Sequence, residues 1–497
     1  MKLNNLIYLF IVFAIFGCKE EFLEEYPTAY ITPKQIAEVS EVNPGLQAAT
    51  VAGIYETMFK VGADGYEDSY SFAHKAQDIF SDMLSGDMVL GGKNYGWYSE
   101  VSELSATVDY TDGINYRGWR YFYRIINLSN IVIDGLGGDQ ATPETDEGKE
   151  FMGQALAMRA YGYLYLSQLY VNKYEPTKKI LPIYRDTATP NQPKSTTNDV
   201  FNLIINDLTT SISLLDSYTR AGKNEVNADV ARGLLAYAYA QKGDYTNAKA
   251  IAEDVITGGA FTLTTADEVV YDGEGDLVGG FNDVNSMNGV MWGTDITVDN
   301  KIGLYSFWGQ VDIYTYSYAV GDPKTIDEGL YDQIPADDVR KGQFWYYPGV
   351  WVHLAPYKKF YDSNRVIDGQ RTVTTDNIYM RVAEMYLLHA EASAKTNDED
   401  SARSSLKALV ELRVPDASYV DALTGQALLD EIYLQTRIEL WGEGKSYFAM
   451  KRNRATITRG DNWLDFAGDS FAYDDDKLTY EIPEAEIRDN PLLNEQN

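Results

Sequence analysis

Apolar side chains recur every three or four positions over residues 44–60, 116–134, 150–170 and 199–215, which lines them along one face of a helix in each case. Four amphipathic helices are therefore predicted in the first half of the chain. The pattern sharpens over 231–256, ARGLLAYAYAQKGDYTNAKAIAEDVI, where two periodic stretches flank Gly243-Asp244-Tyr245. Leu235, Ala236 and Tyr239 on the first stretch and Ala248 on the second stand at the positions of a tetratricopeptide repeat, whose small residues let antiparallel helices approach closely. A looser copy runs over 380–413, turning at Asn397-Asp398 with Ala402 in the small position. Residues 150–170 and 199–215 read as another pair, split by a Pro-bearing insertion over 172–198. The expected fold class is mainly α: a right-handed, tetratricopeptide-like superhelix of helix pairs.

Between about residues 258 and 376 the helical period stops, and Gly, Asp, Thr, Tyr and Trp take over. This is a loop-rich insertion containing a few short strands. Long irregular segments are uncommon in compact domains and are usually functional. Trp292, Trp308, Trp345 and Trp351 all lie within it, and aromatics in irregular backbone suit recognition better than scaffolding.

At the N-terminus, Lys2 precedes an uncharged apolar run over 6–16 and then Gly17-Cys18. The run is shorter than the roughly 20 residues that cross a bilayer and has the length of a signal-peptide core. Cys18 is the only cysteine, so disulfides within the chain are excluded. Its place after a small residue in Ile15-Phe16-Gly17-Cys18 is that of a bacterial lipobox, where the sulfur is acylated and the preceding peptide removed. The expected layout is a signal peptide over 1–17 and one domain over 18–497, with the helical scaffold at about 35–257 and 377–457 and the insertion at about 258–376. Formal net charge is −32, which sets the chain against phosphate backbones and makes nucleic acid an unsuitable partner. The 39 tyrosines supply rings with a polar edge, suited both to packing and to sugar faces.

Several segments, in order, resemble the SusD/RagB family. Residues 18–32, CKEEFLEEYPTAYIT, are similar to its opening of lipid cysteine, Phe-Leu, acid, proline and threonine. Trp119-Arg-Tyr-Phe-Tyr123 with Ile126 and Asn130 resembles its first long helix, and Arg159-Ala-Tyr-Gly-Tyr followed by Leu181-Pro182 the next. Arg381-Val-Ala-Glu384, Arg437-Ile-Glu439-Leu-Trp-Gly-Glu443, Ile482-Pro483 and Asn490-Pro491 complete the series. Lys445-Ser446-Tyr447-Phe448 departs from the family's more usual Arg-Trp-x-Asp, and the tail lacks its Gln-Asn-Pro-Gly close. The resemblance implies a non-enzymatic, surface-exposed, outer-membrane lipoprotein of Bacteroidetes. Such a protein captures an oligo- or polysaccharide and delivers it to a SusC-like TonB-dependent transporter. Lys19-Glu20-Glu21 is similar to the tag that sends such lipoproteins to the cell surface.

The chemistry-bearing residues mostly have structural readings. Arg381 and Glu384 are three apart on a helix and Glu439 and Glu443 four apart, so each pair shares a face, and the two glutamates want a cation such as Lys445 or Arg437. With three histidines, and no nucleophile elbow, zinc motif or phosphate loop, a catalytic apparatus is thinly provided; His389, within Leu387-Leu388-His389-Ala390, reads as packing. Asp272-Gly-Glu274-Gly-Asp276 begins like a calcium loop, but Leu277 stands where that loop needs glycine. No catalytic residue, metal or cofactor is expected.

The substrate-binding candidates are Asn94, Tyr95, Trp97 and Tyr98 in a Gly-rich loop, and Trp292, Tyr305 and Trp308 in the insertion. Sugar C–H faces lie on aromatic planes while Asn and Asp satisfy the hydroxyls; the alternative role of these rings is to pin their loops. A glycoside hydrolase using Glu or Asp and a sugar-independent protein-interaction scaffold are the rival functions. For the anchor, Cys18→Ala is expected to move the protein from outer-membrane fractions to the soluble fraction in cells lacking the transporter; unchanged membrane recovery sinks that reading.

Overall fold

The structure is a computed structural model that describes residues 44–271, 279–316, 318, 321–350, 352–362 and 371–497. The lipobox, the Lys19-Glu20-Glu21 tag, the calcium-like loop over 272–277 and Trp351 lie outside the described residues. No helix among the described residues is long and apolar enough to cross a membrane.

Eleven helices of eight residues or more make up the scaffold among the described residues. In chain order they are α1 (Ala48–Thr57), α2 (His74–Leu84), α3 (Gly113–Gly135), α4 (Asp146–Leu169), α5 (Thr197–Leu214), α6 (Ala228–Lys242), α7 (Tyr245–Gly258), α8 (Val382–Lys395), α9 (Glu399–Val410), α10 (Gly425–Glu439) and α11 (Ser446–Asn453). From α3 to α9 each packs on the next, giving the tetratricopeptide-like stack of helix pairs. The predicted turns are where the pattern puts them. Gly243 closes α6 at φ 81° and Asn397 follows α8 at φ 62°, left-handed conformations that glycine and asparagine tolerate. Asp244 and Asp398 then accept backbone amides at the starts of α7 and α9. Close approach also needs small residues: a Cβ on Gly162 of α4 would stand 2.7 Å from Ile126 of α3.

Among the described residues the strands form four antiparallel pairs: β1 (Met88–Leu90) with β5 (Lys324–Ile326), β2 (Lys179–Pro182) with β3 (Lys194–Thr196), β4 (Val290–Thr294) with β6 (Asn377–Arg381), and β7 (Thr456–Thr458) with β8 (Ser470–Ala472). β2 and β3 are the Pro-bearing insertion between α4 and α5.

Charged side chains are buried at the joint between scaffold and insertion. The Glu439 carboxylate accepts from Arg340 (3.2 Å), Arg381 (3.0 Å) and Arg413 (2.9 Å), and Glu443 takes a two-pronged bond from Arg381 at 2.8 Å with Lys359 at 3.4 Å. The cations expected for these glutamates were Lys445 and Arg437; both are engaged elsewhere, Lys445 with Tyr165 and Arg437 with Asp87. The true partners come from remote segments because tertiary packing, not helix spacing, brings them in. His389 does pack inside, bonded to Ser405 at 2.8 Å.

A second buried pair gives a measurable consequence. Burial alone would raise the Glu391 carboxyl, but Arg452 and Lys395 outweigh it and hold it down to about 2. An unfolded glutamate titrates near about 4.3, so this pair stabilises the fold above that pH and the contribution is lost as pH falls toward 2. Glu391→Gln is expected to cost about 3–5 kcal/mol at pH 7 by urea unfolding, because it strands a buried guanidinium. The gap between variant and parent should narrow as pH falls through that window.

Candidate functional site

β1 leaves its sheet at Leu90, opposite Lys324 of β5, and runs into the Gly-rich loop over 91–98. That loop wraps one carboxylate. Asp322, buried just before β5, accepts the backbone amides of Asn94, Tyr95 (3.1 Å) and Trp97 (2.6 Å). Converging amides on one anion fix the loop's path, and Gly96 at φ 86° supplies the bend. The fixed loop lifts Tyr95 and Trp97 together, with ring centroids 5.2 Å apart and planes at 28°. Tyr95 is 59% exposed, Trp97 is partly exposed and Asn94 is exposed beside them.

Tyr98 corrects the first cluster. It is fully buried, donates to the Ser69 carbonyl at 3.0 Å and packs on Tyr70 and Phe80, so it anchors the loop and offers no sugar face. Lys324 lies over its ring, 4.0 Å from the centroid. Burial pushes that ammonium down to about 7 against the pull of Asp322.

The second predicted region is corrected more heavily. Trp292 sits in β4 at 1% exposure, edge-on to Tyr161 and Tyr379, with its indole N–H on the Asn224 carbonyl at 3.0 Å. Trp308 is 2% exposed, edge-on to Phe307 and Phe360. Both are core side chains, because short regular elements run through the insertion there. Tyr305 remains partly exposed.

An aromatic group left out of the substrate-binding candidates, although Trp345 was noted as recognition material, lies on a hairpin over 345–355. Trp345 and Ala355 pair backbones, and Leu354 accepts the Ile326 amide, which hangs the hairpin on β5. Trp345, Tyr346 and Tyr347 are all exposed. Trp345 faces Tyr357 with centroids 5.4 Å apart, and Tyr346 stacks on Tyr331 at 5.6 Å with planes at 11°. The signal was present: four consecutive aromatics, residues 344–347, before Pro348-Gly349 cannot all point into one core.

Two family profiles match this chain. Residues 338–497 match the SusD family, and residues 52–239 match a family described as starch-binding and associating with the outer membrane. A SusD-like carbohydrate-binding protein of Bacteroides vulgatus superposes with a TM-score of 0.72 at 26% identity, over 90% of this chain and 97% of its own. The chain is SusD-like. A SusD-like protein of Formosa agariphila is 28% identical over 173 residues, 34% of this chain; the match spans 31% of that curated relative's own length. Surface glycan-binding protein A of Bacteroides thetaiotaomicron, solved with laminarihexaose, shares the fold at 16% identity and a TM-score of 0.70, over 91% of this chain and 98% of its own.

In this SusD-like chain the paired glutamates face no cleft among the described residues. Glu439 and Glu443 are buried and engaged by arginines, unlike a glycosidase pair facing a substrate. Among the described residues, no cluster of three or more His, Cys, Asp or Glu is placed to hold a metal. The burial difference separates the two tryptophans experimentally. Trp308→Ala is expected to cost about 3–5 kcal/mol of stability and Trp97→Ala about 1 kcal/mol, read from urea midpoints. Equal losses contradict this placement.

Proposed function

We propose that this chain captures a glycan at the cell surface on the Tyr95 and Trp97 rings, with Asn94 serving the hydroxyls, and passes it to a SusC-like TonB-dependent transporter. One observation carries the reading: an exposed Tyr95 ring, stacked on a partly buried Trp97, stands on a loop whose backbone is held by a single buried carboxylate. Burying aromatic rings in the fold needs no such device, whereas a platform that meets a ligand gains from being fixed beforehand. The exposed Trp345, Tyr346 and Tyr347 strip extends the same surface chemistry, and Tyr305 adds a partly exposed ring. The carbohydrate-binding relative of known structure and the matched starch-binding description support the ligand class. Attachment to the outer membrane rests on Cys18 and on that same description.

The test uses the full chain in polysaccharide gels and with laminarihexaose in titration calorimetry. Tyr95→Ala and Trp97→Ala are expected to weaken binding about tenfold or more, equivalent to about 1.4 kcal/mol, while the protein stays folded. Affinity for a neutral glycan should be almost independent of salt, since stacking releases no counterions. A reducing-end assay on the same polysaccharides is expected to show no chain cleavage. Unchanged retardation of both variants, or release of reducing ends, overturns the reading.

A further inference from the structure

A concavity of about 330 Å³ opens where the end of α4, the start of α5 and the ends of α6 and α11 converge. It shares no residue with the aromatic site. Its wall carries Lys173, Lys242, Lys451, Arg452 and Arg454 and not one Asp or Glu, in a chain with 74 acidic residues against 42 Lys and Arg. A lining with that sign is the reverse of the molecule's own bias.

The cations are only partly neutralised from behind. Lys173 reaches Asp474 (3.2 Å) and Glu175 (3.5 Å), and Arg452 pairs with Glu391. Lys242 and Arg454 have no ion pair among the described residues. Lys451 donates to the carbonyls of Gln168 and Val171 rather than to a carboxylate; burial drives its ammonium well below the ordinary lysine value, so it adds positive charge only when an anion beside it favours the protonated form. Arg452 is 4% exposed at its side chain; it gives Nε and Nη2 to Glu391, and its Nη1 is buried with no hydrogen-bond partner among the described residues. An anion in the concavity supplies the charge that this lining lacks. The rest of the wall is hydroxyl, amide and ring: Ser167 and Thr197, Gln168 and Gln241, and Tyr174, Tyr245 and Tyr473. Such a surface can meet hydroxyl groups and a C–H face together, and its volume is that of a small-ligand pocket.

We propose that this concavity is a second saccharide subsite, selective for a sugar bearing an anionic substituent, either a uronate carboxylate or a sulfate ester. It stands on the charge of the lining and does not depend on the aromatic platform.

The test measures binding of galacturonic acid, galactose 6-sulfate, galactose and sodium sulfate to the full chain by calorimetry at one ionic strength. One or both anionic sugars are expected to bind, galactose not. Binding of only one names the source of the anion. The double variant Lys242→Gln/Arg454→Asn is expected to lose about tenfold in affinity, as removal of charge-assisted contacts does. Neither residue is in an ion pair, and asparagine suits the φ of 50° at Arg454, so melting should be unchanged. If the double variant melts lower, each single variant is titrated instead, and both should bind more weakly than the parent. Trp97→Ala should bind the anionic sugar as the parent does, which separates this subsite from the platform. Equal binding of galactose, sodium sulfate binding as tightly as the sugars, no binding of either anionic sugar, or undiminished affinity in the charge variants overturns the proposal.

Discussion

The Glu439 carboxylate, shared by Arg340, Arg381 and Arg413, is the interaction on which the rest of the structure hangs. Its arginines come from the insertion, from the junction of β6 with α8, and from just beyond α9, so one side chain at the end of α10 fastens three separated parts of the chain. Burial by itself disfavours the charged glutamate; Arg413, Arg381 and Arg340 together hold it well below the usual carboxylate range. The knot contains Arg340, Arg381, Arg413 and Lys359 against Asp338, Glu439 and Glu443. Positive charge is in surplus by one. Lys359 registers that surplus: its ammonium is lowered to about 8 by burial and the neighbouring Arg381 despite Glu443. A desolvated network of this kind adds little net stability over an apolar core, but removing one member is costly, which makes it an efficient way to impose one arrangement of loops.

That arrangement reaches the exposed aromatic loop through few intermediates. Two residues before Glu439, Arg437 bonds to Asp87, and Trp441 donates its indole N–H to the Asp87 carbonyl at 2.8 Å. Asp87 is the residue before β1, and its carbonyl also accepts the amide of Asp327, just past β5. The β1 and β5 pair is thus set on α10, and both aromatic groups leave from it: the loop over 91–98 at one end, the hairpin over 345–355 at Ile326. The exposed rings ride on irregular backbone, while their positions are set by a rigid helical frame.

The helices were legible because a 3.6-residue period survives in any single sequence, and the turns because Gly243 and Asn397 stand where left-handed backbone is needed. The exposure of Asn94 and Tyr95 and the partial exposure of Trp97 were legible for a related reason, since a glycine-rich loop cannot bury all its rings. Tyr98, Trp292 and Trp308 were not. Whether a ring in irregular backbone points inward is decided by partners far along the chain, such as Ser69 for Tyr98 and Asn224 for Trp292. The same blindness misassigned the cations of Glu439 and Glu443. Sequence neighbours Arg437 and Lys445 looked eligible, but long-range packing had already committed them.

The geometry of the exposed rings constrains how a glycan can lie on them. Tyr95 and Trp97 stack on each other, so each covers one face of the other and together they form a single platform two rings deep. Tyr95, the more exposed, presents the outer face, and Trp97 braces it against the loop. One platform holds one sugar ring firmly. A longer glycan must find its next aromatic contact elsewhere, and the Trp345 to Tyr347 strip is the other exposed group tied to the same strand. Since both are set by β5, the spacing between their sugar contacts is fixed by the fold rather than by the ligand. A chain whose repeat matches that spacing gains both contacts without reordering either loop, and one that does not gains a single contact. In the proposed reading, selectivity for glycan shape follows from the scaffold, even though stacking alone barely distinguishes one sugar from another.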